Sequence, residues 1–191
     1  MTLASDRRES LLEAADRVVQ REGPAASMNV IAAEAGITKP ILYRHFGDKG
    51  GLYRALAGRH IEELLGRLRA ALLTRGGLAA RTHATVDAYL AAIESEPQVY
   101  RFLMHRAAVE EPGVRGDVDS FVRRFGDELA IGIRHEAALG DIDPLRATVW
   151  AQGIAGMVQA AGDWWLDHQE IPRATVVAEL SELLVAGFNL S

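Results

Sequence analysis

Cysteine is absent from the 191 residues, so disulfides, cysteine-ligated zinc and iron–sulfur clusters are excluded. Aromatic residues are scarce, at 6% of the chain, and there are six prolines. Long apolar runs are missing too. The longest stretch without Asp, Glu, Lys or Arg is Ala147–Gly162, and its 16 residues fall short of the roughly 20 that a membrane span needs. Met1–Arg8 carries no apolar signal-peptide core. These absences lead us to expect a cytoplasmic protein with no membrane partner. Catalytic signatures are lacking as well: the chain has no HExxH, GxSxG, SxxK, GxGxxG or Walker A run. None of the six histidines pairs with another at a spacing of four. Glu110-Glu111 read as ordinary capping and solubilising acids. No enzyme activity, metal or cofactor is expected.

Lysine is nearly absent, and where it occurs is informative. The two lysines, Lys39 and Lys49, both lie between Gly36 and His60, a window that carries Arg44, Arg54 and Arg59 against Asp48 alone. The whole chain has a net charge of −5. Residues 1–56 nevertheless hold 8 basic and 7 acidic groups, whereas residues 57–191 hold 13 basic and 19 acidic. A local basic patch on an acidic body is what a small DNA-reading module joined to a larger, non-binding domain would show.

Alanine is abundant (31 residues), β-branched runs are few, and apolar residues recur at helical spacing throughout, so we expect an all-α fold of about nine helices. The first opens near Ser5, buries Leu11, Leu12, Ala15, Val18 and Val19, and stops at Gly23-Pro24. Ser27 caps a second helix that runs to Ala35, Gly36 makes the turn, and Thr38 caps a third that runs to Phe46. Asp48 caps a long fourth helix to about Leu73. Further helices are expected at 78–95, 97–108, 117–139, 144–168 and 172–189, separated by Pro97, Pro112-Gly113, Gly140 with Asp143-Pro144, and Pro172.

Residues 27–46 therefore read as helix, turn, short helix. Ala32 and Ala33 are small enough for close approach, and Ile31, Ile37, Leu42 and Phe46 can meet as the seam. That leaves Thr38, Lys39, Pro40, Ile41, Tyr43, Arg44 and His45 largely outward. Lys and Arg suit guanine edges or phosphates, and Ile and Pro suit thymine methyls, as in a helix laid in a major groove.

The run Gly36-Ile-Thr-Lys-Pro-Ile-Leu-Tyr-Arg-His-Phe-Gly-Asp-Lys49 follows an Ala-rich first helix ending in Glu22-Gly23, and resembles the DNA-binding domain of TetR-type transcriptional regulators. The resemblance covers about residues 5–56 and implies two parts, a helix-turn-helix domain (1–56) and a ligand-binding and dimerisation domain (57–191). It implies that Thr38, Lys39, Pro40, Ile41 and Arg44 face base edges or backbone. Tyr43, His45 and Lys49 would contact phosphates, and Ser27 and Asn29 could do the same. The chain departs from the family at Gly50-Gly51, where helix-favouring or acidic residues are usual, and at Pro40. Two glycines there soften the start of the fourth helix, at about 1 kcal/mol each.

One short helix reads few bases, so the expected partner is a second copy bound to a palindromic double-stranded operator, with half-sites about 34–36 Å apart. Gly153, Gly156 and Ala160, with Leu180, Leu183, Leu184 and Gly187, are the candidate dimer face. The resemblance further implies a pocket for an unidentified small-molecule inducer. Its candidate lining is Tyr89, Ile93, Tyr100, Phe102, Leu103, Met104, Phe125, Trp150, Met157 and Trp164, with His105 and Arg106 as polar groups. The expected function is a dimeric DNA-binding regulator, read as a repressor that a ligand releases. The alternative is a helical small-molecule-binding or scaffold protein whose helix-turn-helix no longer binds DNA.

Overall fold

The computed structural model describes residues 3–136 and 141–189. Counting 97–110 as one helix, these residues form nine helices, a short 3-10 turn at Gly23–Ala25 and no strand. They are α1 (Leu3–Glu22), α2 (Met28–Glu34), α3 (Lys39–Phe46), α4 (Lys49–Leu72), α5 (Leu78–Ser95), α6 (97–110), α7 (Pro112–Arg134), α8 (Pro144–Leu166) and α9 (Arg173–Asn189). Helix α6 is irregular: Phe102–Ala107 is wound as a π-helix between two α-helical ends. The chain divides into two compact units. One holds Met1–Glu62 and Glu96–Asp119, the other Glu63–Ser95 and Ser120–Ser191.

In the first unit the apolar stripe of α1 is buried as its spacing predicts: Leu11, Leu12, Ala15, Val18 and Val19 pack with Ile31, Leu42, Phe46, Leu52, Tyr53 and Leu56. The unit reaches past residue 56 because α6 belongs to this core. Phe102 is fully buried, with its ring edge-on to Tyr53 at 4.8 Å, and Val99, Leu103 and Ala107 are buried in the same cluster. Arg106 donates to the carbonyls of Pro24 and Ala26 and so fastens α6 to the turn after α1.

In the second unit α5 lies against α8 at Gly162, where a Cβ would come within 2.8 Å of Tyr89 and 3.0 Å of Ile93. Asp143 caps α8 through the amides of Leu145 and Arg146, beside Pro144 in the first turn. Arg173 at the start of α9 pairs with Asp87 and Glu94 of α5, and Arg69 meets Glu128 with two nitrogens.

Several boundaries depart from expectation. Helix α1 begins at Leu3, so Ser5 lies inside it. The break expected at Pro112-Gly113 falls at Glu111, and α7 starts at Pro112, five residues early, because proline is tolerated in a first turn. Gly113 also lets the helix pass Arg54, whose Cδ would lie 2.9 Å from a Cβ there. The expected break at Gly140 lies outside the described residues. Gly51 is not a soft spot but a requirement, since a Cβ would sit 1.9 Å from the Phe46 carbonyl oxygen. Gly51→Ala should therefore destabilise the protein by about 1–3 kcal/mol. Gly58→Ala, in the same helix with nothing near, should stabilise it by about 0.5–1 kcal/mol. Urea denaturation of the two variants checks the pair.

Candidate nucleic-acid interface

The helix-turn-helix is set by local chemistry. The Ser27 hydroxyl accepts from the Val30 amide and caps α2. Its other end closes in a left-handed turn: Gly36, at φ +64°, donates to Ala33, and Ile37 donates to Ala32. These two bonds satisfy carbonyls that the end of a helix otherwise leaves open, and they need a residue that tolerates positive φ. Ala32 is buried at the approach of α2 to α3, whereas Ala33 faces outward, contrary to expectation. Two arginines of α1 grip α2 from behind: Arg17 and Arg21 contact the two carboxylate oxygens of Glu34 at 3.1 and 3.3 Å. The hydrogen bond from Arg17 is the main reason that the Glu34 carboxyl lies below its ordinary range.

With Leu42 and Phe46 buried, α3 shows its other side to solvent. Thr38, Lys39, Pro40 and Arg44 are exposed, and Ile41, Tyr43 and His45 are half-buried. Thr38 stands at the cap position, but its hydroxyl makes no capping bond. The Lys39 ammonium lies 5.5 Å from the centre of the Tyr43 ring, so the two present one cationic and aromatic edge. Asn29 is exposed at the start of α2. The face meets the requirements of a major-groove reader: a short rigid helix with its cations outward and its apolar residues locked behind it.

Lys49 opens α4, next to Asp48, which caps the helix through the Gly51 amide at 2.6 Å. Its ammonium is held by Glu110 at 2.5 Å, with Glu111 at 3.9 Å. That hydrogen bond raises the Lys49 pKa and lowers that of Glu110. Glu110 and Glu111 therefore do more than solubilise a loop. Sequence spacing gives no hint of this pairing, because its members lie 61 positions apart. Arg8 likewise has no signal in local spacing: its guanidinium lies 4.8 Å from the centre of the Phe46 ring, at the end of α3.

The pocket candidates fall in both units. Tyr100, Phe102, Leu103, Met104, His105 and Arg106 belong to the first. Phe102 and Leu103 are core there, Arg106 is engaged by backbone carbonyls, and His105 is exposed. In the second, Tyr89, Ile93 and Phe125 are buried, and Trp150 packs edge-on to Phe188 at 5.4 Å. Met157 and Trp164 are exposed, and the Trp164 ring stacks on His168. Of the dimer-face candidates, Gly153, Gly156, Ala160, Leu183 and Gly187 are exposed and Leu180 is half-buried. Leu184 is buried within its own chain at 7% exposure, so it does not belong to an outward face.

Fold and face together define a helix-turn-helix protein whose described residues form an all-helical body. Residues 11–56 match the model of bacterial regulatory proteins of the tetR family, and residues 67–190 match that of a tetracycline-repressor-like C-terminal domain. The chain is 34% identical over 164 residues to the transcriptional activator FasR of Mycolicibacterium smegmatis, covering 85% of this chain and 74% of FasR. A tetR-family regulator from Streptomyces coelicolor superposes with a TM-score of 0.77 at 25% identity, over 97% of this chain and 81% of that one. The fold is also shared with FadR of Bacillus subtilis, solved with stearoyl-CoA, at a TM-score of 0.74 and 16% identity over 94% and 98% of the two chains. The protein belongs to the TetR family and is a DNA-binding transcriptional regulator.

The clamp on α2 has a pH signature. Because the Glu34 carboxyl is lowered in the folded protein, its pairing stabilises the fold above the ordinary carboxylate range, and that gain is lost as pH falls through the lowered value. Wild type should exceed Glu34→Gln in melting temperature at neutral pH, with the difference vanishing in strong acid. A constant difference across the titration contradicts the clamp.

Proposed function

We propose that the protein binds a palindromic operator as a homodimer, with α3 of each copy in successive major grooves, and that a small molecule bound within residues 57–191 releases it. The observation that carries this reading is the outward side of α3: Thr38, Lys39, Pro40 and Arg44 are exposed above a seam of buried Ile31, Leu42 and Phe46. Lys39, Arg44, Thr38, Pro40 and Ile41 read base edges or backbone. Tyr43, His45, Lys49, Ser27 and Asn29 hold phosphates.

A second copy is the expected occupant of α8. Its exposed side carries an apolar stripe of Leu145, Val149, Gly153, Gly156, Met157, Ala160 and Trp164, in which Leu145 is 72% and Val149 61% exposed. No Cβ placed at Gly153 or Gly156 would meet anything within 4 Å, so another helix can approach closely there. Leu183 and Gly187 on α9 present further exposed small and apolar surface. Such a length of exposed apolar helix is costly in water unless it is covered.

Release is a population shift: the ligand binds best to the form whose reading helices do not match the operator spacing, and its preference for that form sets the loss of affinity. We read the protein as a repressor working in the bacterial cytoplasm, where operators are. A reporter fused to the regulated promoter gives the sign: loss of the gene raises expression under repression and lowers it under activation, the role carried in the name of FasR. Acyl thioesters head the ligand screen because the FadR fold was solved with stearoyl-CoA.

Selection from a random DNA pool should yield a palindrome with half-sites about one helical turn apart. On that site, Tyr43→Ala and Lys49→Ala should weaken binding to all sequences, and Lys49→Ala should also lower the salt slope. Arg44→Ala and Lys39→Ala should also relax preference at a base position, by about 1–3 kcal/mol. Unchanged affinity in both Tyr43→Ala and Lys49→Ala contradicts the docking. Gly156→Arg should give a monomer by sedimentation; a persisting dimer places the interface elsewhere.

A further inference from the structure

Helix α6 reaches the reading module at two places within the first unit. Arg106 holds the carbonyls of Pro24 and Ala26 at the turn that leads into α2, and Glu110, one turn later, holds Lys49 at the start of α4. The Lys49 ammonium thus lies against the Glu110 carboxylate at 2.5 Å, with Glu111 behind it at 3.9 Å and the Tyr53 ring centre at 5.4 Å. Arg106 also contacts Glu110 at 3.3 Å, which keeps that carboxylate ionised and in place. This is an awkward setting for a phosphate ligand. A phosphate oxygen bonded to the same ammonium sits about 3 Å from it and so only about 5 Å from the carboxylate. Two like charges at that separation repel, and at a half-exposed site the repulsion is screened but not abolished.

We propose that Glu110 and the DNA backbone compete for Lys49, so that α6 sets the affinity of the reading module. The inference rests on the reading of Lys49 as a phosphate ligand. While Glu110 holds the cation, each copy binds with one phosphate contact fewer or weaker. When α6 withdraws the carboxylate, the contact is made. The π-wound segment lies directly upstream of Glu110. A π turn inside an α-helix is rare and frequently marks a functional site. Rewinding Phe102–Ala107 as α-helix turns Glu110 by about 100° around the axis and separates it from Lys49.

The test is fluorescence anisotropy on the selected operator over a salt series, with the full chain as wild type, Glu110→Gln, Glu110→Ala, Lys49→Ala and Lys49→Ala/Glu110→Gln. Glu179→Gln, an exposed residue of the second unit, controls for the same change in formal charge. Helical circular dichroism confirms folding, and the alanine variant stands in if the glutamine variant is disturbed. Both Glu110 variants should bind about 3- to 10-fold tighter than wild type and steepen the salt slope by about one phosphate per copy. In the Lys49→Ala background the Glu110 change should move affinity less than about 2-fold, and Glu179→Gln should leave it unchanged. The proposal is overturned if the Glu110 variants bind no tighter while Lys49→Ala weakens binding. It is overturned equally if they tighten binding as much without Lys49, because that is a general charge effect and not competition. If Lys49→Ala binds like wild type and the Glu110 variants bind no tighter either, Lys49 holds no phosphate, and the reading beneath the inference fails with it.

Discussion

The seam between α2 and α3 is the constraint on which the rest depends. An eight-residue helix such as α3 cannot hold its shape alone in water, since nucleation costs more than so few hydrogen bonds return. Its order comes from burying Leu42 and Phe46 against Ile31 and the α1 stripe. Gly36 fixes the angle at which it does so. The left-handed turn there satisfies two carbonyls of α2 and sends the chain back toward the core within three residues. A face that reads bases must be rigid to better than the length of a hydrogen bond, and this turn with its seam supplies that rigidity.

The cations of the first unit divide between structure and the exposed edge. Arg17 and Arg21 are spent on Glu34, Arg59 on Glu9 and Asp16, and Arg106 on two backbone carbonyls. His60 lies between Asp16 at 2.7 Å and Glu96 at 3.3 Å, and joins α1, α4 and the residue before α6. These contacts brace the frame in which Lys39 and Arg44 stand outward. Lys49 has a foot in each camp, at the edge where a phosphate would pass yet tied to a carboxylate of α6.

What could be read in advance follows from range. Caps and turns are local, so Ser27, Gly36, Asp48 and Asp143-Pro144 marked their helices from neighbouring residues alone. The inward and outward sides of α3 were legible because the helical period sorts them. The end of α1 at Glu22 was legible from Gly23-Pro24, which follow it directly. Contacts between distant segments left no trace in spacing. Glu110 and Glu111 looked like solvated acids until the fold set them on Lys49. Gly51 looked like a weakness until the Phe46 carbonyl was seen against it. The aromatic residues of α6 read as pocket lining, but Phe102 packs in the core on Tyr53, a partner 49 positions earlier. The π winding of α6 has no sequence signature of its own. Met157 and Trp164 pointed outward, not inward, because α8 carries apolar residues on both sides and periodicity alone does not say which side another chain covers.

The central claim is that α3 and the start of α4 sit on DNA as a symmetric pair. Ethylation interference on the bound operator tests it most directly, because it reports each phosphate that the protein touches. The account predicts two clusters of sensitive phosphates related by two-fold symmetry, about one helical turn apart on one face of the duplex, with Lys49→Ala removing one phosphate from each cluster. A single cluster, or a pattern that Lys49→Ala leaves intact, would contradict it.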